Sequence, residues 1–460
     1  MNNKRVYTGA DGLRSYLTPQ REEYIPLVEL PDSLNPFLAS HNIHVSAKLM
    51  NTLPLGNVKS LPAHELLASR EVRGAHVVES SSGNTVFSMG LLAQSFGVKD
   101  VTAIASTDVS PGKLRLLQLA GVTVELIDGP ICPDANDPHG SIAIARERGT
   151  QPGWCNPGQY DNDANPHAHE TVTGPQLYDQ LGDKLGMFVA GLGTTGTLVG
   201  TARALKKKLP TVQIGGVLRV PNNKVPGVRT RNGLDEVAFA WNDLLTEASV
   251  MVNEYHSYEA SLRLIREGLL VGPSSGFAYE GALALIKQSI ARDGGASLRG
   301  KHVVFICPDT CFPYVDEYVE VLGVGHFPAI DDQSTRQFRE AEQKLADIPE
   351  VSVAELHADM VDGQAQHYTL IDVRDEREFL DHHIAGSQRI DGDHIAKWAR
   401  ERTTIERQQK YLFICSRSGR SIRAVVAAQN AGLTAYLLTG GTAAWSAAGY
   451  ERVRPSSCYL

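Results

Sequence analysis

The sequence predicts an α/β protein built on parallel sheets, and three observations carry that prediction. Short apolar runs alternate with amphipathic stretches from about residue 28 to residue 325, glycines punctuate the joints, and the alternation resumes after Pro349. Strands alternating with helices imply parallel sheets covered on both faces. At 460 residues the chain is too long for one ordinary core, so more than one domain is expected.

Taken in order, residues 101–105 read as a buried strand, 111–120 as a helix ended by Gly121, and 122–127 as the next strand. Residues 187–190, a glycine-rich turn and residues 198–209 repeat the strand–loop–helix order, and 301–306 form a further strand. Residues 331–347 are charged, glycine-free and helix-prone, the pattern of a linker helix. Beyond them, 370–373, 411–415 and 434–438 read as strands, with helices at 376–380 and 421–431. The expected division is 1–325, a linker at 326–350, and a small α/β domain at 351–455.

Charge narrows the function. Forty-four basic against 52 acidic residues leave a net −8, which argues against a nucleic-acid partner. No apolar run approaches the roughly 18 residues of a membrane span, and residues 1–19 lack the apolar core of a secretory signal. A cytoplasmic chain without membrane attachment is expected. The six cysteines are sparse; Cys307 and Cys311 lack the further ligands a zinc site demands, so no metal is expected and the thiols are expected reduced.

Four segments of the first block invite chemistry. Pro54-Leu55-Gly56-Asn57-Val58-Lys59 delivers a lysine to the start of a helical run. Glu79-Ser80-Ser81-Ser82-Gly83-Asn84-Thr85 enters a helix from Val86. Gly191-Leu192-Gly193-Thr194-Thr195-Gly196-Thr197 opens another, and such loops offer backbone N–H groups and a helix N-terminus to a phosphate. Gly272-Pro273-Ser274-Ser275-Gly276 leads into a fourth helix. Singly, each has a bland reading as a solvated lysine or a helix cap.

Together, in this order, they resemble the cysteine synthase and cystathionine β-synthase family, fold-type II pyridoxal-phosphate enzymes with two parallel-sheet α/β subdomains. Gln159-Tyr160-Asp161-Asn162-Asp163-Ala164-Asn165-Pro166 is similar to the family's Q-F-x-N-P-A-N-P stretch, and Thr171-Val172-Thr173-Gly174-Pro175 to its T-T-G-P. The resemblance implies pyridoxal 5′-phosphate as cofactor and Lys59 as its Schiff-base partner and proton shuttle. It implies Asn84 for the phenolic oxygen, Gly193, Thr194, Thr195, Gly196 and Thr197 for the 5′-phosphate, and Ser274 for the pyridine nitrogen. A hydroxyl there, unlike a carboxylate, does not stabilise a protonated ring, which suits β-elimination over transamination. Ser81, Ser82, Thr85 and Gln159 would bind the amino-acid carboxylate. A homodimer is also implied.

Departures bear on substrate choice: Ser60-Leu61 replaces the family's acidic–basic pair, Val86 a glycine, and Thr195 the glycine that is the third residue of the phosphate loop. Lys224, Arg229 and Arg231 read as solvated, the alternative being recognition of an anionic leaving group or sulfur donor.

In the second block, Cys415-Ser416-Arg417-Ser418-Gly419-Arg420-Ser421 lies between a strand and a helix. Arginines, hydroxyls and a helix N-terminus stabilise an anionic sulfur. With Leu370-Ile371-Asp372-Val373-Arg374, His383-Ile384-Ala385-Gly386-Ser387 and Gly440-Gly441-Thr442-Ala443-Ala444-Trp445, the loop resembles a rhodanese domain over about 352–452. A phosphatase loop has five residues between cysteine and arginine; here position 421 is serine and Arg420 falls one residue early. Cys415 would carry a persulfide, Ser416, Arg417, Ser418, Gly419 and Arg420 would cradle it, and Asp372 and Arg374 would be structural. The glycine stands one place later than in the commonest rhodanese pattern.

Three functions follow. The first is β-replacement on an O-activated serine, with small-molecule amino acid and sulfur donor as partners. The second is a cysteine desulfhydrase passing released sulfur to Cys415. The third is an idle scaffold, which the retention of both Lys59 and Cys415 disfavours.

Overall fold

The computed structural model describes residues 6–19, 21–128, 137–234, 237–247, 249–328, 348–363, 367–416 and 419–453. The expected linker helix at 331–347, and Arg417 and Ser418 of the cysteine loop, lie outside these residues. The chain divides into two compact units, Met1–Phe327 and Pro328–Leu460.

The first unit holds two sheets. The larger comprises β1 (Leu27–Glu29), β2 (His44–Leu49), β7 (Leu185–Gly191), β8 (Gln213–Arg219), β9 (Val250–Val252) and β10 (His302–Cys307), in the order β1-β2-β10-β7-β8-β9. The smaller comprises β3 (His76–Ser80), β4 (Asp100–Ser106), β5 (Val122–Ile127) and β6 (Trp154–Cys155), in the order β5-β4-β3-β6. Every pairing is parallel except β1 with β2, an antiparallel edge. That edge departs from the all-parallel expectation; an antiparallel edge strand needs no long crossover connection, which is why mixed edges are common.

Period-two alternation distributes the core. On β7, Met187 and Val189 join a cluster with Phe277, Ala282 and Leu285 of the helix Pro273–Asp293. Phe188 and Ala190 face the opposite cluster with Leu198, Val199 and Ala202 of the helix Gly196–Lys208. Burial on both faces explains why these strands read as continuous apolar runs. The functional loops leave the carboxyl ends of β2, β3, β7 and β10, where ligands of open α/β sheets bind.

The second unit has one parallel sheet of β11 (Glu350–Val351), β12 (Tyr368–Asp372), β13 (Gln388–Arg389), β14 (Lys410–Ile414) and β15 (Thr434–Leu438), ordered β11-β15-β14-β12-β13. Ile371 and Phe413 pack against Val425 and Ala428 on one face; Leu370 and Leu412 pack against Leu356 and Trp445 on the other. Ser352 and Glu355 form a reciprocal capping box that starts the helix Val353–Val361.

Helix boundaries moved by up to two residues: the helix expected from Val86 begins at Asn84, and the one expected at 198–209 spans Gly196–Lys208. Among the described residues no helix is long and apolar enough to cross a membrane. Glu29, His44 and His302 cluster on adjacent strands. The two imidazoles stack at 4.8 Å with 23° between their planes, so their in-plane lone pairs do not converge.

Candidate active sites

Lys59 stands at the N-terminus of the helix Ser60–Ala68, and a short network fixes it there. Val58 N–H donates to the Pro308 carbonyl at 2.6 Å. Asn57 Oδ1 accepts from Lys59 N–H at 2.9 Å and from Ser88 Oγ at 3.2 Å. Burial pushes the lysine amine down to about 8, and the Asp309 carboxylate partly opposes it. An amine in that range is partly neutral near physiological pH, as a proton shuttle requires.

Lys59 lines a cavity of about 190 Å³ with Ser81, Ser82, Asn84, Thr85, Gln159, Gly193, Thr194, Thr195, Thr197 and Ser274. Sequence-derived candidates from positions 59 to 274 therefore meet in one place. Gly196 is the exception: its backbone opens the helix behind the loop.

Glu79, at the end of β3, ties the serine-rich loop to the Gly158–Gln159 turn. Its buried carboxylate accepts backbone N–H groups of Ser80, Gly158 and Gln159 at 3.0, 2.9 and 3.1 Å. Burial nevertheless raises it to about 7, those hydrogen bonds opposing the shift. Thr85 Oγ1 donates to Gln159 Oε1 at 2.7 Å, and Gln159 Nε2 to the Ser80 carbonyl at 2.7 Å. The serine-rich loop and Gln159 are thus one rigid piece.

The glycine loop tests whether a phosphate group fits. A Cβ on Gly193 would overlap the Gly227 carbonyl oxygen, and one on Gly196 would lie 2.9 Å from Asn165 Nδ2 and closer still to that amide's other atoms. Asn165 Nδ2 donates to Thr194 Oγ1 at 3.0 Å. Thr195 has φ 68°, left-handed backbone that a β-branched residue adopts only under strain. Its hydroxyl is buried without a protein partner, an orphan that a bound phosphate would satisfy. The donor set fits the cofactor's phosphate.

At the far end, Asn84 Nδ2 and the Tyr314 hydroxyl both donate to Asp309 Oδ2, at 2.7 and 2.6 Å. Burial raises the Asp309 carboxyl above the usual range, with Tyr314 and Asn84 pulling it back. Sequence reasoning missed Asp309 and Tyr314. The one available signal was a carboxylate two residues past a buried strand, and that is not specific.

Arg229 is a correction. Lys224 and Arg231 are exposed as expected of solvated residues, but Arg229 is 4% exposed and lines the cavity. Its guanidinium sits 5.1 Å from the centre of the Tyr160 ring, and Nη1 donates to the Gly233 carbonyl at 3.0 Å. Tyr160 stands where the resembled family has phenylalanine, a signal present in the sequence. Lys113, also on the cavity wall, pairs with Glu317 at 3.1 Å.

In the second unit, Cys415 follows β14 and is 1% exposed. Ser421 Oγ donates to its sulfur at 3.3 Å. Thr442 N–H and Ala443 N–H donate to the carbonyls of Cys415 and Ser416, at 2.9 and 3.0 Å. Gly441, with φ 57°, has no room for a Cβ against the Cys415 carbonyl oxygen, so the two turns rest backbone on backbone. Arg420 donates to both Glu378 oxygens at 2.5 and 2.7 Å, and Nη2 also lies 2.9 Å from Ser416 Oγ. The pairing holds Glu378 down to about 2 and offsets the charge of one of the arginines expected to cradle the persulfide. Arg374 and Asp372 form a buried pair at 2.7 Å, and Arg374 also donates to the His382 carbonyl at 2.6 Å.

Comparison with known proteins finds a family for each of the two units. The family described as pyridoxal-phosphate dependent enzyme matches residues 20–309, and the rhodanese-like domain matches residues 352–448. A probable cysteine synthase of Bacillus subtilis is 31% identical over 279 residues, 57% of this chain and 86% of the relative. Among solved structures, a hydrogen sulfide-producing enzyme of Fusobacterium nucleatum superposes with TM-score 0.54 at 21% identity, over 63% of this chain and 95% of that one. O-ureido-L-serine synthase superposes with TM-score 0.55 at 24% identity, over 68% and 96%. At such identities the structural likeness speaks to fold.

Proposed function

Since the chain belongs to the pyridoxal-phosphate dependent enzymes, and among them to the cysteine synthase family, we propose that it forms cysteine or a cysteine derivative by β-replacement on an O-activated serine. A rhodanese-like domain follows in the same polypeptide, and its Cys415 handles persulfide sulfur for that reaction. The observation that carries the reading is the convergence of Lys59, the Ser81–Thr85 segment and the glycine loop on one cavity.

Bound pyridoxal phosphate supplies the electron sink that lets the substrate's Cα–H bond ionise. The chain's own groups do the rest. Lys59 Nζ takes the α-proton, its basicity lowered by burial. Thr85, Ser81, Ser82 and Gln159 hold the substrate carboxylate, on a loop that Glu79 pins from behind. The N–H groups and hydroxyls of Gly193–Thr197 hold the cofactor phosphate at a helix N-terminus. Asn84 and Ser274 orient the ring, with Asp309 behind Asn84. Arg229, with its guanidinium over the Tyr160 ring, offers charge-assisted hydrogen bonds to an anionic leaving group or sulfur donor.

In the rhodanese-like domain, Cys415 Sγ takes the outer sulfur of a donor such as thiosulfate, releasing sulfite, and passes it to an acceptor thiol or cyanide. The Ser421 hydroxyl, which donates to that sulfur, stabilises the sulfur anion.

Two measurements test the reading. Borohydride reduction followed by peptide mapping should place the cofactor label on Lys59. The protein mixed with O-acetylserine or O-phosphoserine, each together with sulfide, should release acetate or phosphate and form the Cβ–S bond of cysteine from one of the two esters; cysteine alone is the comparison for sulfide release. Label elsewhere removes the lysine's role. Sulfide release from cysteine without synthesis from either ester replaces β-replacement with desulfhydration.

A further inference from the structure

A buried histidine that the mechanism does not use sits directly behind the glycine loop. His169 is fully buried and begins the π-helical turn His169–Thr173, between the helices Ala164–Ala168 and Gly174–Leu181. Single π-turns inside helical stretches recur at functional sites, because the extra residue re-aims side chains. Here the turn faces the helix Gly196–Lys208 across two glycines. A Cβ on Gly200 would overlap the Pro166 carbonyl, and one on Gly174 would lie 2.5 Å from the Ala204 methyl. With neither Cβ present, the helices close to backbone contact. That approach brings His169 Nε2 within 3.2 Å of Thr197 Oγ1, while Nδ1 lies 2.9 Å from Thr173 Oγ1.

The imidazole is neutral. Burial, helped by the nearby Lys59 charge, lowers its pKa to about 3. A neutral imidazole carries one N–H and one lone pair, so only two proton arrangements satisfy both threonines. In the first, Nδ1–H donates to Thr173 and Nε2 accepts the Thr197 hydroxyl proton. That arrangement turns the Thr197 oxygen's lone pairs toward the cavity, against an anion. In the second, Thr173 O–H donates to Nδ1, Nε2–H donates to Thr197 Oγ1, and the Thr197 O–H is free to point into the cavity that Thr197 lines.

We propose that Thr173 and His169 form a proton-ordering relay that fixes the Nε2–H tautomer and thereby aims the Thr197 hydroxyl at the cofactor phosphate. His169 is a positioning residue: it acts through Thr197 and touches no reacting atom. No bond to carbon forms or breaks; the relay only selects which of two hydrogen-bond directions the chain adopts. The assignment rests on reading Gly193–Thr197 as the phosphate loop, and it adds that loop's orientation to the proposed function.

The test uses full-length protein carrying 15N-histidine and loaded with pyridoxal phosphate. The His169 ring should show a pyrrole-type nitrogen at Nε2 and a pyridine-type nitrogen at Nδ1. Cofactor affinity, measured by reconstituting the stripped protein, should fall roughly tenfold or more in His169→Phe, the usual scale for losing a hydrogen bond to a charged group. His169→Gln, whose amide N–H reaches the same hydroxyl, should recover most of the loss, and Thr173→Val should weaken binding in the same direction. Adding His169→Phe to Thr197→Val should cost little beyond Thr197→Val alone, because both remove one contact. A proton on Nδ1 in the loaded protein, or full additivity in the double variant, overturns the relay. If Lys59 still takes the borohydride label in that case, the relay alone has failed; if the unsubstituted protein leaves Lys59 unlabelled, the proposed function has failed first.

Discussion

Replacing Gly200 by alanine separates local helix propensity from tertiary packing, because the two predict opposite signs. Gly200 lies inside the helix Gly196–Lys208. Glycine in a helix interior costs about 0.5–1 kcal/mol relative to alanine, so propensity alone predicts a more stable protein. The structure predicts the reverse. The added Cβ would lie 2.8 Å from the Pro166 carbonyl carbon, 2.9 Å from the Glu170 nitrogen, and nearer still to the Pro166 oxygen. All three are backbone atoms, so no side-chain rotation relieves the overlap. Separation by roughly 1 Å is needed, and overpacking of this kind costs about 1–3 kcal/mol. Net of the propensity gain, the loss is about 1 kcal/mol and at most about 2.5 kcal/mol, or a fall of roughly 1–4 °C in unfolding midpoint. The same shift would stretch the 3.2 Å His169–Thr197 contact beyond hydrogen-bond length, so cofactor affinity should fall too. Gly112→Ala is the control, since that helical glycine has nothing within 4 Å of its Cβ position. Scanning calorimetry and cofactor titration on both variants decide the matter. Equal stabilisation of the two would refute the close approach.

Three other outcomes follow from the same geometry. Gly441→Ala forces a side chain against the Cys415 carbonyl, and a displacement near 1 Å at a reacting group costs on the order of a hundredfold; thiosulfate-to-cyanide transfer should collapse while β-replacement persists. Arg229→Met should raise KM for O-phosphoserine by about tenfold or more and leave O-acetylserine nearly unchanged, the scale of a lost charge-assisted hydrogen bond; equal effects on both esters would remove the arginine from anion recognition. For Glu79, burial raises the folded carboxyl to about 7 from an ordinary 4.5, so the folded state binds the extra proton in between. Stability should therefore fall as pH climbs from about 4.5 through about 7, and denaturant midpoints for Glu79→Gln should lack that part of the decline.

Much of this protein is legible in short stretches of its chain. Alternating strands and helices, the loops at the strand ends, Lys59 beside a helix start and Cys415 after β14 all follow from neighbours in the chain. Their signals are periods of two and 3.6 residues, glycines and helix-capping chemistry, each readable within a dozen positions. The environment of each polar group, by contrast, comes from contacts between remote segments. Asp309 meets Asn84 across 225 residues, and Thr197 meets His169 across 28. Arg229 looks like its solvated neighbour Arg231 until the fold buries it against Tyr160. Burial removes water from a charge and leaves it whatever partners distant segments supply. No local pattern encodes that, because the charge state and aim of a buried group depend on which remote atoms replace its water.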